Sequence, residues 1–207
     1  MNNLTLVIPT YNRYDDVYRH LKYLNNFLKG INVIIVDGTP PEERKALKAS
    51  CFSDISIEYL NFDLGVNERI KIGVSKVSSK YTCIIGDDDR LIKEGVDLSI
   101  DFLDKNDQFI ASYGKTYGYC PQRGCLQMYN YSSGPRSFNK VSRVIRAMHF
   151  YTPQLYCSIW KTSAINNVVQ IAAPINWSSG QVFELLLVLA GNLYGNHQGL
   201  EIPYWER

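Results

Sequence analysis

The sequence predicts an α/β fold with a mainly parallel central sheet flanked by helices. Two patterns carry this prediction. Strand-like and helix-like segments alternate along the first half of the chain, and the strand-like segments are continuous apolar runs. Such runs are typical of strands that helices cover on both faces. The length of 207 residues suits one domain, and a 45% share of hydrophobic residues is enough for a sizeable core.

The first half of the chain contains four apolar segments that predict strands and three segments with helical spacing. The predicted strands are residues 4–8, 31–36, 55–60 and 81–85, and the predicted helices between them are residues 13–29, 42–50 and 66–78. Each strand is therefore separated from the next by a helix, which is the connection that parallel strands require.

The alternation weakens in the second half. We predict a helix at about 93–105, a long strand at 109–119, a loop at 120–139, a strand at 155–160 and a helix at 178–190. After the loop, Val141, Val144, Ile145 and Met148 lie on one side of an amphipathic helix. No linker rich in Ser and Gly separates the halves, so we expect one domain over residues 1–207, divided at about residue 108.

The net charge of +2 combines an acidic first part with a basic second part. Residues 1–110 carry 14 Lys or Arg and 17 Asp or Glu, a net charge of −3, whereas residues 111–207 carry 8 and 3, a net charge of +5. This excess is too weak for nucleic-acid binding, but it suits an anionic ligand or an anionic membrane surface. Five cysteines without metal-ligand spacing predict reduced thiols, so we expect a cytoplasmic protein, with peripheral membrane association left open.

Polar residues follow three of the predicted strands at the point where each strand ends. Residues 9–13 follow the first strand, Asp37 follows the second, and the tri-aspartate (Asp87, Asp88 and Asp89) follows the fourth. Ligands of parallel α/β sheets bind at the carboxyl ends of the strands. We therefore expect these three groups to converge on one edge of the sheet.

The tri-aspartate predicts a metal site. Three adjacent carboxylates repel one another and are costly to bury without a cation, and their hard oxygens suit Mg²⁺ or Mn²⁺. The alternative is a solvated acidic turn that caps the next helix, which the helix dipole favours. Asp37 also has two interpretations. It is either a turn residue that bonds its own backbone or an acceptor for a nucleobase or ribose.

The three motifs resemble those of family 2 glycosyltransferases in composition, order and spacing. They are residues 6–13 (LVIPTYNR), 33–38 (VIIVDG) and 81–89 (YTCIIGDDD). The resemblance extends over about residues 4–105. It implies a GT-A fold, in which the first half (about 1–108) binds a nucleotide sugar and a smaller C-terminal subdomain (about 109–207) faces the acceptor.

The resemblance implies roles for single residues. Pro9, Thr10 and Tyr11 would line the nucleotide pocket, with Tyr11 beside the base, and Asp37 would contact the base. Arg13 lies in the same loop, where it either serves the nucleotide or only pairs with a neighbouring aspartate.

The tri-aspartate fits both forms of the family's metal motif. Asp87 and Asp89 match Asp-x-Asp, and Asp88 with Asp89 matches Asp-Asp. Asp89 is therefore the first choice as metal ligand and Asp87 the second. Asp87 and Asp88 are also expected beside the nucleotide sugar.

The chain departs from the family after its third strand. Ile70 and Lys71 stand where relatives carry Arg-Asn. Arg69 or Lys71 is therefore expected to supply a positive charge near the diphosphate, and our choice is Lys71. The alternative for either residue is a solvated position on the helix surface.

Glu184 is the candidate catalytic base. The resemblance places the base in the second half, and Glu184 is the only acid between Asp107 and Glu201. The alternative is a structural or ion-paired glutamate. Other candidates have weaker support. Arg136, Arg143 and Arg146 are expected to contact phosphate or to be solvated, and Trp160 and Trp177 to stack on sugar rings or to pack in the core.

Together these features predict a metal-dependent, inverting glycosyltransferase. It would use Mn²⁺ or Mg²⁺ to move a sugar from a nucleoside-diphosphate donor, with a UDP-sugar favoured, to a hydroxyl of a glycan, lipid-linked or other acceptor. The alternatives are a non-catalytic nucleotide- or sugar-binding module of the same fold and a nucleotidyltransferase. The latter is disfavoured because the loop after the first strand has no glycine.

Overall fold

The computed structural model of the protein describes residues 3–47, 49–120, 124–129, 134, 139–149, 151, 153–173 and 180–206. The expectations for Arg136 and Trp177 concern residues outside these ranges. None of the helices in the described ranges is long and apolar enough to cross a membrane.

Within those ranges nine strands form one sheet, in the order β3-β2-β1-β4-β8-β6-β9-β5, with β7 paired to β6. The strands β1 to β4 pair in parallel, as their apolar runs predict. The remaining strands form a mixed sheet, in which β6 and β9 are parallel and the pairs of β5, β7 and β8 are antiparallel. Their bounds are β1 Leu4–Thr10, β2 Asn32–Asp37, β3 Ser56–Asn61, β4 Tyr81–Ile84, β5 Arg90–Leu91, β6 Phe109–Cys120, β7 Cys125–Met128, β8 Ile159–Lys161 and β9 Asn196–Glu206.

Six α-helices occur in the described residues. They are α1 Tyr14–Phe27, α2 Val66–Ser75, α3 Lys93–Lys105, α4 Lys140–His149, α5 Thr162–Ala172 and α6 Gly180–Tyr194. The helix predicted at 42–50 is wrong. Short 3₁₀ turns occupy Pro41–Glu43 and Ala49–Cys51 instead, and the extended backbone of Arg44 directly after the first turn interrupts any continuous helix.

The register of the parallel strands places their carboxyl ends at the same edge. Thr10 at the end of β1 is paired with Asp37 at the end of β2, which is paired in turn with Asn61 at the end of β3. On the other side of β1, Val7 is paired with Ile84 in β4, so the tri-aspartate follows β4 beside the end of β1. The sheet therefore brings the three polar groups together.

Two side chains of the second half serve packing rather than a surface. Trp160 is fully buried, and its indole Nε1 donates to the Leu155 carbonyl at 3.1 Å. It therefore belongs to the core and does not stack on a sugar. Arg143 is also buried, and it donates to carbonyl groups at the end of α6. It is neither solvated nor available for phosphate, which corrects both expectations for this residue.

Candidate active site

The loop after β1 and the tri-aspartate are joined through the carboxylate of Asp87. Thr10 Oγ1 donates to Asp87 Oδ2 at 2.7 Å, and Arg13 Nη1 lies 2.9 Å from Asp87 Oδ1. Asp87 is buried. Burial raises the pKa of this carboxyl above its usual value, although the Thr10 hydrogen bond and the Arg13 charge lower it. Both oxygens of Asp87 thus have a partner within the chain.

Arg13 contacts three carboxylates at once. Besides Asp87, its Nη2 donates to Asp88 Oδ2 at 2.8 Å, and its Nε donates to Asp16 Oδ2 at 3.0 Å. The hydrogen bond to Asp88 is the main cause that raises the pKa of Arg13 above its usual value. The pairing with a neighbouring aspartate is therefore present in Asp16, but the two contacts with the tri-aspartate were not predicted. Arg13 acts as an internal counter-cation of this loop.

Asp89 is buried beside the backbone of its own loop. Its side chain is only slightly exposed, and its Oδ2 lies 2.8 Å from the position that a Cβ on Gly86 would occupy. The absence of a side chain at Gly86 therefore lets the Asp89 carboxylate fold back against the loop.

The donor set fits a divalent cation that shares its ligands with a substrate. The described residues contain no group of three or more His, Cys, Asp or Glu side chains that could hold a metal by themselves. Mg²⁺ sites with substrate phosphates, however, typically use only one or two protein carboxylates. To bind such a cation through Oδ1, Asp87 would have to exchange its contact with Arg13.

Asp37 is held by donors on both of its oxygens. Oδ1 accepts from the Thr39 amide at 2.8 Å and from Thr39 Oγ1 at 2.5 Å, and Oδ2 accepts from the Tyr59 hydroxyl. Burial raises the pKa of Tyr59, and the hydrogen bond to Asp37 raises it further. The turn contact expected of an aspartate before glycine is present. The contact with Tyr59, on the neighbouring strand, was not predicted.

The carboxylate of Asp37 also faces a cleft at the edge of the sheet. The lining includes residues from the ends of β1 to β3 and from the segments that follow β1 and β2: Thr10, Asn12, Arg13, Tyr14, Asp15, Asp16, Val17, Asp37, Thr39, Glu43, Arg44, Lys45, Leu47 and Tyr59. Of the residues predicted to line a nucleotide pocket, Pro9 is partly buried and Tyr11 is exposed, and neither lines this cleft.

Arg69 connects the ends of β1 and β2 through hydrogen bonds to their backbone. Its Nη1 donates to the carbonyl oxygens of Thr10 and Val36, at 2.6 and 2.7 Å. A Cβ on Gly38 would lie 2.7 Å from Arg69 Cζ, so glycine is needed there. Arg69 is buried, and burial lowers its pKa. The solvated alternative is therefore wrong for Arg69. Lys71 makes no hydrogen bond or ion pair with the other site residues within the described ranges.

Glu184 lies on α6, on the acceptor-side half of the chain. Tyr151 Oη donates to Glu184 Oε1 at 2.5 Å. Burial and the neighbouring Cys157 raise the pKa of the Tyr156 hydroxyl well above its usual value, and the charges of Glu184 and Asp89 raise it further. The hydroxyl of Tyr156 is therefore within electrostatic range of both carboxylates.

His20 is a further neighbour of the tri-aspartate that sequence patterns did not reveal. It is buried on α1, and burial lowers its pKa to about 4, an effect that the nearby backbone of Asp87 and Gly86 partly opposes. A neutral imidazole thus packs beneath this loop. Its position on the apolar face of α1 is a signal for burial but not for this contact.

Comparisons with known proteins agree with this fold. The model of Glycosyl transferase family 2 matches residues 5–165. No curated protein matches the sequence. Among solved structures, the chain is similar to a fragment of S. aureus TarS, residues 1–349, with a TM-score of 0.69, 16% identity and coverage of 99% of this chain and 60% of that chain.

Two further TarS structures are similar to the same degree. The fragment in complex with UDP-GlcNAc has a TM-score of 0.70 and 15% identity, with coverage of 99% of this chain and 58% of that one. A further crystal structure of TarS has a TM-score of 0.68 and 17% identity, with coverage of 99% of this chain and 36% of that one. The chain thus spans less than two thirds of the length of these proteins. The fold is the GT-A type, and since the family model matches most of its length, the chain belongs to Glycosyl transferase family 2.

Proposed function

We propose that the chain transfers a sugar from a nucleoside-diphosphate donor to an acceptor hydroxyl, with inversion at the anomeric carbon and with Mn²⁺ or Mg²⁺. The observation that carries the proposal is the convergence of Asp37, the Thr10–Asp87 pair and Asp89 at one edge of the sheet. These groups supply an acceptor for the nucleotide and a carboxylate for a cation within one site.

The donor is a UDP-sugar in this proposal. TarS, which has the same fold, has been crystallised with UDP and with UDP-GlcNAc. In this chain the base would enter the cleft that Asp37 and Tyr59 line, and the hydrogen bond between them fixes the carboxylate before the nucleotide arrives. Among the described residues, Oδ1 of Asp37 already accepts two hydrogen bonds and Oδ2 accepts one. Oδ2 can therefore accept a further hydrogen bond from an N–H of the base.

Asp89 would hold the divalent cation, together with oxygens of the donor diphosphate. When bound, such a cation neutralises the charge that develops on the departing diphosphate. Arg13 and Thr10 hold the Asp87 carboxylate beside the carboxyl end of β1, and Arg13 compensates the negative charge of Asp88. Asp89 is assigned to the metal because it belongs to both forms of the family's metal motif.

Glu184 would be the base on the acceptor side. The acceptor oxygen forms a bond to the anomeric carbon while the bond from that carbon to the diphosphate breaks, and the hydroxyl proton passes to a carboxylate oxygen of Glu184. Tyr151 already donates to Oε1, which orients the carboxylate and leaves Oε2 for the proton. Acceptors of this reaction would be a glycan or a lipid-linked hydroxyl.

The decisive experiment compares Asp89→Asn with Asp101→Asn, an exposed acid on α3. UDP release from UDP-sugars is measured with and without Mn²⁺ and acceptor. We expect Asp89→Asn to lose Mn²⁺-dependent release by on the order of 100-fold, as with the loss of other groups that stabilise transition-state charge, and Asp101→Asn to retain it. Equal activity of both variants would contradict the proposal. Binding of UDP-sugar without any release would favour the non-catalytic module.

A further inference from the structure

Helix α4 has its apolar side turned toward solvent. Its buried residues are Arg143 and Ala147, whereas Val141, Ile145 and Met148 are 64, 51 and 70% exposed. The three exposed side chains are four and three positions apart, so they form one continuous row along the helix. Rows of large apolar side chains are uncommon on protein surfaces, and they mark sites of interaction.

The orientation of α4 is fixed by Arg143. Its Nε donates to the Asn192 carbonyl at 2.8 Å, its Nη1 to Asn196 Oδ1 at 3.2 Å and its Nη2 to the Leu193 carbonyl at 3.5 Å. Cations are favourable at the C-terminal end of a helix, because the last carbonyl groups there lack partners within the helix. Since Arg143 is bound to the end of α6, the row formed by Val141, Ile145 and Met148 must face outward.

The charged residues of α4 itself are all basic. Lys140 and Arg146 are exposed on the same helix, and residues 108–183 contain seven Lys or Arg and no Asp or Glu. A helix that combines an exposed apolar row with basic residues is typical of one that lies in the interface of an anionic membrane. Each basic residue near such a surface adds roughly 1 kcal/mol of attraction.

This surface lies next to the candidate base. Tyr151 lies two positions after the last residue of α4, and its hydroxyl donates to Glu184. The next residue of α6, Leu185, is exposed. The acceptor side of the site therefore adjoins the apolar row. The row itself is small, because three side chains cover far less than the roughly 800 Å² per partner of a standard protein interface.

We propose that Val141, Ile145 and Met148, with Lys140 and Arg146, form a docking surface for an anionic lipid bilayer, here called the α4 surface. The apolar side chains enter the headgroup region and the two basic side chains contact lipid phosphates. Docking holds Glu184 close to the bilayer, where a lipid-linked acceptor hydroxyl would be presented. The binding itself requires neither metal nor donor, so it is independent of the proposed transfer reaction.

The test is sedimentation of the chain with vesicles of phosphatidylglycerol and with vesicles of phosphatidylcholine. We expect binding to phosphatidylglycerol, and a loss of at least about tenfold in the double variant Ile145→Glu/Met148→Glu, since two apolar contacts are removed. Lys140→Ala/Arg146→Ala should weaken binding by roughly tenfold or more. Ile171→Glu is the matched control, because Ile171 is 58% exposed on α5 and should leave binding unchanged.

Circular dichroism and UDP release in solution show whether each variant is folded, since none of the substituted residues touches the candidate site. Absence of wild-type binding to phosphatidylglycerol, or equal binding by the double variant, overturns the proposal. It is also overturned if light scattering shows a dimer that dissociates only in the double variant, because the α4 surface would then be an interface between copies of the chain. Failure of the Asp89→Asn experiment would leave the vesicle result intact.

Discussion

Replacing Arg13 by Gln should destabilise the fold, because three carboxylates lose a shared counter-cation. Asp87 is the member that matters most, since it is buried while the Arg13 side chain is 43% exposed. Loss of one partner from a fully buried ion pair costs about 3–5 kcal/mol, whereas exposed pairs contribute about 0.2–1 kcal/mol. A half-exposed cation on a buried carboxylate lies between these limits, so we expect a loss of roughly 1–3 kcal/mol.

The assay is urea unfolding of wild type, Arg13→Gln and Arg19→Gln, without and with Mn²⁺. Arg19 is the matched control, because it is 71% exposed and pairs with Asp16 but not with the tri-aspartate. Its loss should cost less than about 1 kcal/mol. Mn²⁺ should recover part of the stability of Arg13→Gln, since a ligand that binds only the folded state stabilises it. If both variants lose the same free energy, the contact between Arg13 and Asp87 carries none of it and our reasoning is refuted.

Three further outcomes are expected. Burial lowers the pKa of His197 to about 3. The contribution of the neutral imidazole to the free energy of unfolding is therefore complete above the ordinary pKa of 6.5, and it falls by about 1.4 kcal/mol per pH unit below that value. Urea unfolding at several pH values should show a shallower dependence of this free energy on pH in His197→Gln than in wild type. Tyr59→Phe removes a hydrogen bond to Asp37. In steady-state kinetics it should raise the KM for UDP-sugar by roughly tenfold and leave kcat little changed. An unchanged KM would contradict the role of this contact. A Cβ on Gly95 would lie 2.4 Å from a carbonyl oxygen of β9, whereas the nearest atom to a Cβ on Gly65 would be 3.9 Å away. In thermal unfolding, Gly95→Ala should therefore lower the free energy of unfolding by at least about 2 kcal/mol. Gly65→Ala should lower it by less than about 1 kcal/mol.

The parallel part of the fold could be predicted because its signal is local. Continuous apolar runs define β1, β2 and β4, and the position where each run stops places Thr10, Asp37 and Asp87 at one edge. Because strand ends of a parallel sheet meet, no knowledge of distant contacts was needed. The motifs converge because the strands are parallel and each motif follows the carboxyl end of its strand.

The contacts within the site could not be predicted in the same way. Arg13 reaches Asp87 and Asp88 across more than seventy positions of sequence, and Tyr59 reaches Asp37 only because β3 lies beside β2. Such pairs depend on side-chain direction after the sheet has formed, and a pattern of residue types does not contain that information.

Helix α4 shows another limit of sequence patterns. Its periodicity identifies an apolar side, but it does not state which side faces the core. Arg143 determines which side of α4 faces the core, because its guanidinium donates to carbonyl groups at the end of α6. A buried cation with enough hydrogen bonds can therefore determine the rotation of a helix against the preference of its apolar residues.

The way in which Arg69 binds has a consequence for changing donor specificity. Its guanidinium donates to backbone carbonyls of Thr10 in β1, Val36 in β2 and Leu64 after β3, and every residue type offers the same carbonyl. The hydrogen bonds of Arg69 therefore do not depend on the side chains that line the cleft. Gly38 is the exception, because any side chain there would displace Arg69. Libraries aimed at other nucleotides should vary the lining and keep this glycine and arginine as a fixed pair.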